Sequence, residues 1–163
     1  MRAVTASRTV DAPREDVFRY LSDIANHVEF SDHYLQDFRL ERLDSTGVGA
    51  AASYRFGFPL GRHWGDAAIT ELEAPHRLVL EGRAGRLGRI RTRAEYRLTP
   101  ADHEMTRVEL RVETEPGTTV DRLKESLGFR GWLRRAARRA LVRLAQVLEE
   151  GQPSAHAARP AAG

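Results

Sequence analysis

Four polar side chains fall on the apolar side of alternating stretches: Arg8, Tyr54, Thr92 and Tyr96. A phenol or guanidinium among apolar neighbours donates hydrogen bonds to a carbonyl or moves a proton, so Tyr54, Tyr96 and Arg8 form the candidate catalytic set. Arg8 has a second reading, as a rim residue or a partner of Asp11. Phe56 and Phe58 share a face with Tyr54; Ile90, Thr92 and Tyr96 share another; Val108 and Leu110 share a third. Such faces either pack a core or line a cavity. Trp64 and Asp66 lie on a strand whose register a single bulge would invert, so the side they face stays open. The six histidines include no pair at i, i+4, the helical spacing of a zinc site, and no metal is expected. His27, Glu29, Asp32 and His33 read as a solvated loop. Ser31-Asp32-His33 is a coincidence of letters, because adjacent residues point apart and triads assemble across space. Gly82, Gly85 and Gly88, interleaved with Arg83 and Arg86, lack a following helix and read as a hairpin at a cavity mouth or far rim.

The elements that must position these residues follow from period and punctuation. Residues 3–10 alternate as a half-buried strand, and Pro13 opens a short helix over 13–21 with Val17, Phe18 and Leu21 on one face. Asp23 caps a second short helix through Asn26 to Phe30, with Ile24 and Val28 inward. From Phe38 and Leu40 to residue 115 the period is two, broken by turns at Asp44–Gly47, Pro59-Leu60-Gly61 and Ala74-Pro75, as in consecutive hairpins. Strands 89–98 and 105–114 each carry one apolar face and one of alternating Arg and Glu, and those charges are expected to pair between the two strands. Thr118 and Asp121 resemble a capping box that starts a helix near 119. From Trp132 the positions Leu133, Ala137, Leu141, Leu144 and Leu148 form the apolar stripe of a helix reaching Glu150.

The composition bounds the class. A chain of 163 residues that is 41% hydrophobic has the length of one domain and enough apolar matter for a core. One domain over 1–150 and a disordered Ala-Gly-Pro tail over 151–163 are expected. With no cysteine, disulfides, thiolate metal sites and a thiol nucleophile are excluded. No apolar run approaches the roughly 18–20 residues that span a bilayer, and no secretory signal opens the chain; a cytoplasmic location is expected. All 26 basic residues but Lys124 are arginine, yet the net charge is only +3, a weak argument for nucleic acid. Arg135, Arg139 and Arg143 line one side of the last helix and offer a possible contact with a membrane surface.

The order of strand, two short helices, six further antiparallel strands and a long helix resembles the helix-grip proteins. Residues 8–24 (RTVDAPREDVFRYLSDI), 47–50 (GVGA), 69–80 (ITELEAPHRLVL), 95–100 (EYRLTP), 106–110 (TRVEL) and 141–150 resemble the polyketide cyclase/dehydrase branch of the START-like superfamily. That resemblance implies an α+β helix-grip fold, with a curved antiparallel sheet of about seven strands around the C-terminal helix. It also implies an apolar cavity between them, lined by Tyr54, Phe56, Phe58, Trp64, Ile90, Thr92, Tyr96, Val108, Leu110, Phe129, Trp132, Leu133 and Ala137. Phe129 and Trp132, beside Gly128 and Gly131, would gate it. The segment Trp64–Glu71 lacks the arginine expected of cyclase-type members, and His27 stands where many carry tryptophan. Three functions follow as expectations. The first is binding or transport of a hydrophobic small molecule (lipid, isoprenoid or polyketide-like). The second is a cyclase or dehydratase, hence a lyase or isomerase. The third is a membrane- or RNA-interacting module. No cofactor is expected.

Overall fold

The computed structural model describes residues 2–58, 61–102, 104–119 and 128–151. The expected turn at 59–60, the helix start at 120–127 with Asp121, His103, the side chain of Phe58 and the tail beyond 151 lie outside the described residues.

Strand β1 (Arg2–Val10) leads into α1 (Arg14–Leu21), a single 3-10 turn (Ile24–Asn26) and α2 (His27–Ser31). Six strands follow: β2 (Leu35–Leu40), β3 (Ala51–Phe58), β4 (Gly61–Glu73), β5 (Arg77–Ala84), β6 (Ile90–Pro100) and β7 (Thr106–Glu115). A long helix, α3 (Arg130–Glu150), ends the described chain. The seven strands form one antiparallel sheet in the order β1-β7-β6-β5-β4-β3-β2. Only the β1–β7 pairing joins strands distant in sequence; every other neighbour is the next hairpin. The fold is α+β and helix-grip, as the resemblance implies.

Local chemistry explains the helical insert. Pro13 precedes α1 with its carbonyl accepting from the amides of Asp16 and Val17, both at 3.1 Å. The Asp23 side chain accepts the Ala25 amide at 3.0 Å, the expected cap. The inward face of the second insert differs from expectation. Ile24, His27, Phe30 and Ser31 are buried, whereas Val28 is only half-buried. A 3-10 turn advances three residues per turn rather than 3.6, and this rotates His27 inward.

The two faces of the sheet separate cleanly. Ile90, Thr92, Ala94, Tyr96 and Leu98 on β6 stand beside Thr114, Val112, Leu110 and Val108 on β7, all on the concave side. On the outer side Arg77 reaches Glu71 at 2.6 Å, Glu73 at 2.7 Å and Glu95 at 3.1 Å, while Arg93 meets Glu71 at 3.3 Å and also Glu81. The expected pairing of Arg and Glu exists, but it runs from β6 toward β5 and β4 rather than toward β7. In β4 the ladder shifts between Ile69 and Glu71, and Thr70 is the extra residue. That bulge fixes the open register: His63, Gly65 and Ala67 face inward opposite Phe56, Tyr54 and Ala52, so Trp64 and Asp66 face outward.

Helix α3 is tied to β1 at both ends. Arg130 Nη2 donates to the Ala3 carbonyl at 3.4 Å, and the Asp11 amide donates to Glu149 Oε1 at 3.3 Å. Arg143 pairs with Asp32 at the end of α2. Ala136, Ala137, Ala140, Leu141, Leu144 and Ala145 are buried beneath it. The helix therefore packs mainly on β1 and α2, and the middle of the sheet is left for something else. No helix among the described residues is long and apolar enough to cross a membrane.

Candidate functional site: a cavity between sheet and helix

A cavity of about 220 Å³ lies between the concave face of the sheet and the start of α3. Strand β3 contributes Tyr54 and Phe56, β6 contributes Ile90, Thr92 and Tyr96, and β7 contributes Leu110. Phe129, Trp132, Leu133 and Ala137 come from the turn before α3 and its first turns. Phe129 and Trp132 stack with ring centroids 5.6 Å apart, and Trp132 meets Tyr34 edge-on at 6.3 Å, so these rings cover one end of the space.

Other expected residues are placed elsewhere. Trp64 lies on the outer face under the Arg55 guanidinium, 4.8 Å from its ring centroid. Val108 is fully buried in the core and does not line the cavity. Arg8 is exposed, forms no ion pair with Asp11, and is absent from the lining. Its place on an edge strand lets a long cationic side chain leave the apolar face for water.

The lining also holds residues that the sequence reading passed over. His27, Ser31 and Tyr34 come from α2 and the turn after it, Phe38 from β2, His63 from β4 and Arg86 from the β5–β6 hairpin. Phe38 stacks on Tyr54 with planes 6° apart. A three-residue spacing of Ile24, His27 and Phe30 was the available signal for α2. The bulge that turns His63 inward left none.

The polar part of the wall includes three phenols and the His27 imidazole, beside Ser31, His63, Arg86, Thr92, Arg93 and Thr114. Burial pushes the Tyr96 hydroxyl well above the usual tyrosine range, and the neighbouring Tyr34 and Tyr54 push it further. Tyr54 and Tyr34 are raised for the same leading reason. All three are neutral donors at physiological pH. The Tyr34 hydroxyl donates to Ser31 Oγ at 3.3 Å and that of Tyr54 reaches the Asp66 carbonyl at 3.4 Å. The Tyr96 hydroxyl has no hydrogen-bond partner among the described residues.

His27 is buried and edge-on to Tyr96, with ring centroids 5.9 Å apart. Its Nε2 lies 2.8 Å from the Leu21 carbonyl, so Nε2 carries the proton and donates. Desolvation lowers its pKa below the ordinary histidine value and keeps the ring neutral. The neutral tautomer leaves Nδ1 as a lone-pair acceptor. The loop reading of the 27–33 cluster is therefore replaced by separate commitments: His27 to Leu21, Glu29 to the Tyr20 hydroxyl at 2.6 Å, and His33 Nε2 to the Ala136 carbonyl at 3.2 Å. No group of three metal-ligating side chains gathers among the described residues.

A sequence profile for proteins described as polyketide cyclase/dehydrase and lipid transport matches residues 1–149. The chain belongs to that family. At family level its function is hydrophobic-ligand binding or cyclisation. No curated protein matches it by sequence. Among solved structures, the Thermus thermophilus protein TTHA0849 superposes with a TM-score of 0.76 at 15% identity, covering 93% of this chain and 100% of that one. A conserved protein from Geobacillus kaustophilus gives 0.69 at 15% identity, over 91% and 96%. The Deinococcus radiodurans protein DR_A0006 gives 0.62 at 20% identity, over 93% and 100%. At such identities these likenesses are of fold alone.

Proposed function

We propose that this protein binds and carries a compact apolar molecule bearing an oxygen function, held between the sheet and α3. One observation carries the reading: a largely apolar cavity of about 220 Å³ whose wall presents three neutral phenols and the neutral His27 imidazole. Ligand pockets commonly span about 300–1,000 Å³, so the occupant is a small ring system or short chain rather than a two-chain lipid. Its apolar surface is stabilised by Phe38, Phe56 and Leu110, and an oxygen on it accepts from the Tyr96 hydroxyl.

The test is native purification, extraction with organic solvent and mass spectrometry, followed by titration of the emptied protein with an apolar fluorescent probe. A stoichiometric apolar molecule, displaced by the probe, is the expected result. An empty protein that takes up no probe overturns the proposal.

A second reading rests on the pairing of an acceptor with donors. His27 Nδ1 can take a proton from the carbon next to a carbonyl while the tyrosine hydroxyls hold the growing charge on its oxygen. A β-hydroxyl then leaves with that proton as water, which is a dehydratase. For this enzyme Tyr96→Phe lowers kcat at least about tenfold, since one donor to the developing oxyanion is lost. Unchanged turnover on a β-hydroxy ketone removes Tyr96 from the mechanism.

A further inference from the structure

The hairpin joining β5 to β6 ends in Arg86, Leu87 and Gly88 at the rim of the cavity. Leu87 is 77% exposed with φ 63°, the left-handed region that costs energy for any residue with a branched side chain. Leu87 is no part of the hydrophobic core among the described residues. Beside it Trp64 is 50% exposed, and the Gly85 amide donates to the Trp64 carbonyl at 3.2 Å. Trp64 and Leu87 thus line one shallow outer groove.

The charges around this tip are unusual for the same sheet. Arg83 stands directly opposite Arg91, and like charges in that position repel. At the other end of the β5–β6 ladder every arginine turned outward is neutralised: Arg77, Arg93 and Arg97 meet Glu71, Glu73, Glu81 and Glu95. At the tip, Arg62, Arg83, Arg86, Arg89 and Arg91 are exposed, and their side chains close no ion pair or hydrogen bond among the described residues. The nearby acids leave this charge standing. Asp66 Oδ1 accepts the Arg83 amide at 2.8 Å, Asp37 pairs with Arg55 at 3.2 Å, Glu41 borders the groove, and Glu115 faces Arg91 across the ladder without closing a bridge.

We infer that the β5–β6 tip is a docking surface for an anionic lipid bilayer. Leu87 and Trp64 enter the interface, and the surrounding arginines meet the headgroups. The pairing of unneutralised cations with an exposed aliphatic side chain selects this occupant, because a nucleic acid would use the arginines and leave Leu87 without a role. Gly85, Arg86 and Ile90 also line the cavity, so docking brings its mouth to the bilayer. The surface is distinct from the arginine stripe on α3, where Arg143 is already paired with Asp32.

The experiment is co-flotation of the full chain with phosphatidylcholine vesicles and with vesicles of equal parts phosphatidylcholine and phosphatidylglycerol. Binding is expected only to the second, weakening as salt is raised. Leu87→Asp lowers it by about tenfold. Replacing Arg83, Arg86 and Arg89 by Gln lowers it by about fivefold for each arginine removed. Arg135→Gln with Arg139→Gln leaves it unchanged. Equal binding to both vesicles, indifference to Leu87→Asp, or loss in the α3 variant instead overturns the inference; so does an affinity for RNA that the tip arginines control while vesicles are ignored. Probe uptake is read without vesicles for each variant, so a failed cavity and a failed docking surface give different results.

Discussion

His27 shows how one side chain is set by its surroundings. Its Nε2–H is committed to the Leu21 carbonyl and its ring is surrounded by Phe30 and Tyr96. Protonation would bury a charge, and desolvation therefore depresses its pKa in the folded state. A histidine with a depressed folded pKa adds stability that is fully present above about pH 6.5 and is lost as pH falls through the lower folded value. His33 has the same sign, from burial first and then from Arg139 and Arg143. Stability is thus expected to fall as the pH is lowered below about 6.5. His27→Gln keeps an amide donor for Leu21 and cannot titrate, so urea unfolding of this variant should show a shallower pH dependence below that pH. An identical slope in both proteins would mean that His27 is not held neutral by burial. The sequence hid this residue because His27 sits among Asn26, Glu29 and Asp32, whose polarity resembles a loop. Only the tighter winding of the turn before it sends the ring inward.

At the scale of elements, strands with one wet face were readable and strands shaped by irregularity were not. On β6 and β7 the alternation of apolar residues against Arg and Glu assigns every inner residue correctly, because a half-buried strand has no other way to hide its apolar side chains. β4 defeats that logic. The extra residue at Thr70 changes parity midway, and no residue type in Trp64–Glu73 announces it. The same strand explains Gly82, which looked like one of three equivalent glycines. A Cβ at Gly82 would lie 1.9 Å from the Asp66 carbonyl oxygen and 2.9 Å from the Ala67 Cα, both backbone atoms that cannot step aside. Gly85 and Gly88 instead serve a turn, with φ of 81° and 62°. Gly82→Ala is therefore expected to cost about 3 kcal/mol by forcing β4 and β5 apart. Chemical denaturation measures it directly, and a loss below about 0.5 kcal/mol would show that the strands separate freely.

For the whole molecule, the cavity depends on what the inner face leaves unfilled. Ala52, Ala67, Ala84, Ala94, Ala136 and Ala137 all border it. Alternation counts each as an apolar inward residue, so the pattern reveals the sheet and the helix but not the volume missing between them. Fixing α3 to β1 and α2 completes the effect, because one helix packed on the β1 edge of a curved sheet cannot also reach Tyr54 and Phe56 on β3, next to the opposite edge. Ala137 is buried on α3 and faces that space, so Ala137→Phe should place a ring where the ligand is proposed to sit. Filling a void restores dispersion contacts without displacing packed atoms, and burial of the ring outweighs the lower helix propensity of phenylalanine by about 1 kcal/mol. The expected protein unfolds at a higher temperature and takes up no apolar probe. If it folds as well as the parent and still binds probe at one equivalent, the ligand sits elsewhere. If it unfolds at a lower temperature, the wall does not leave the space that its small residues define.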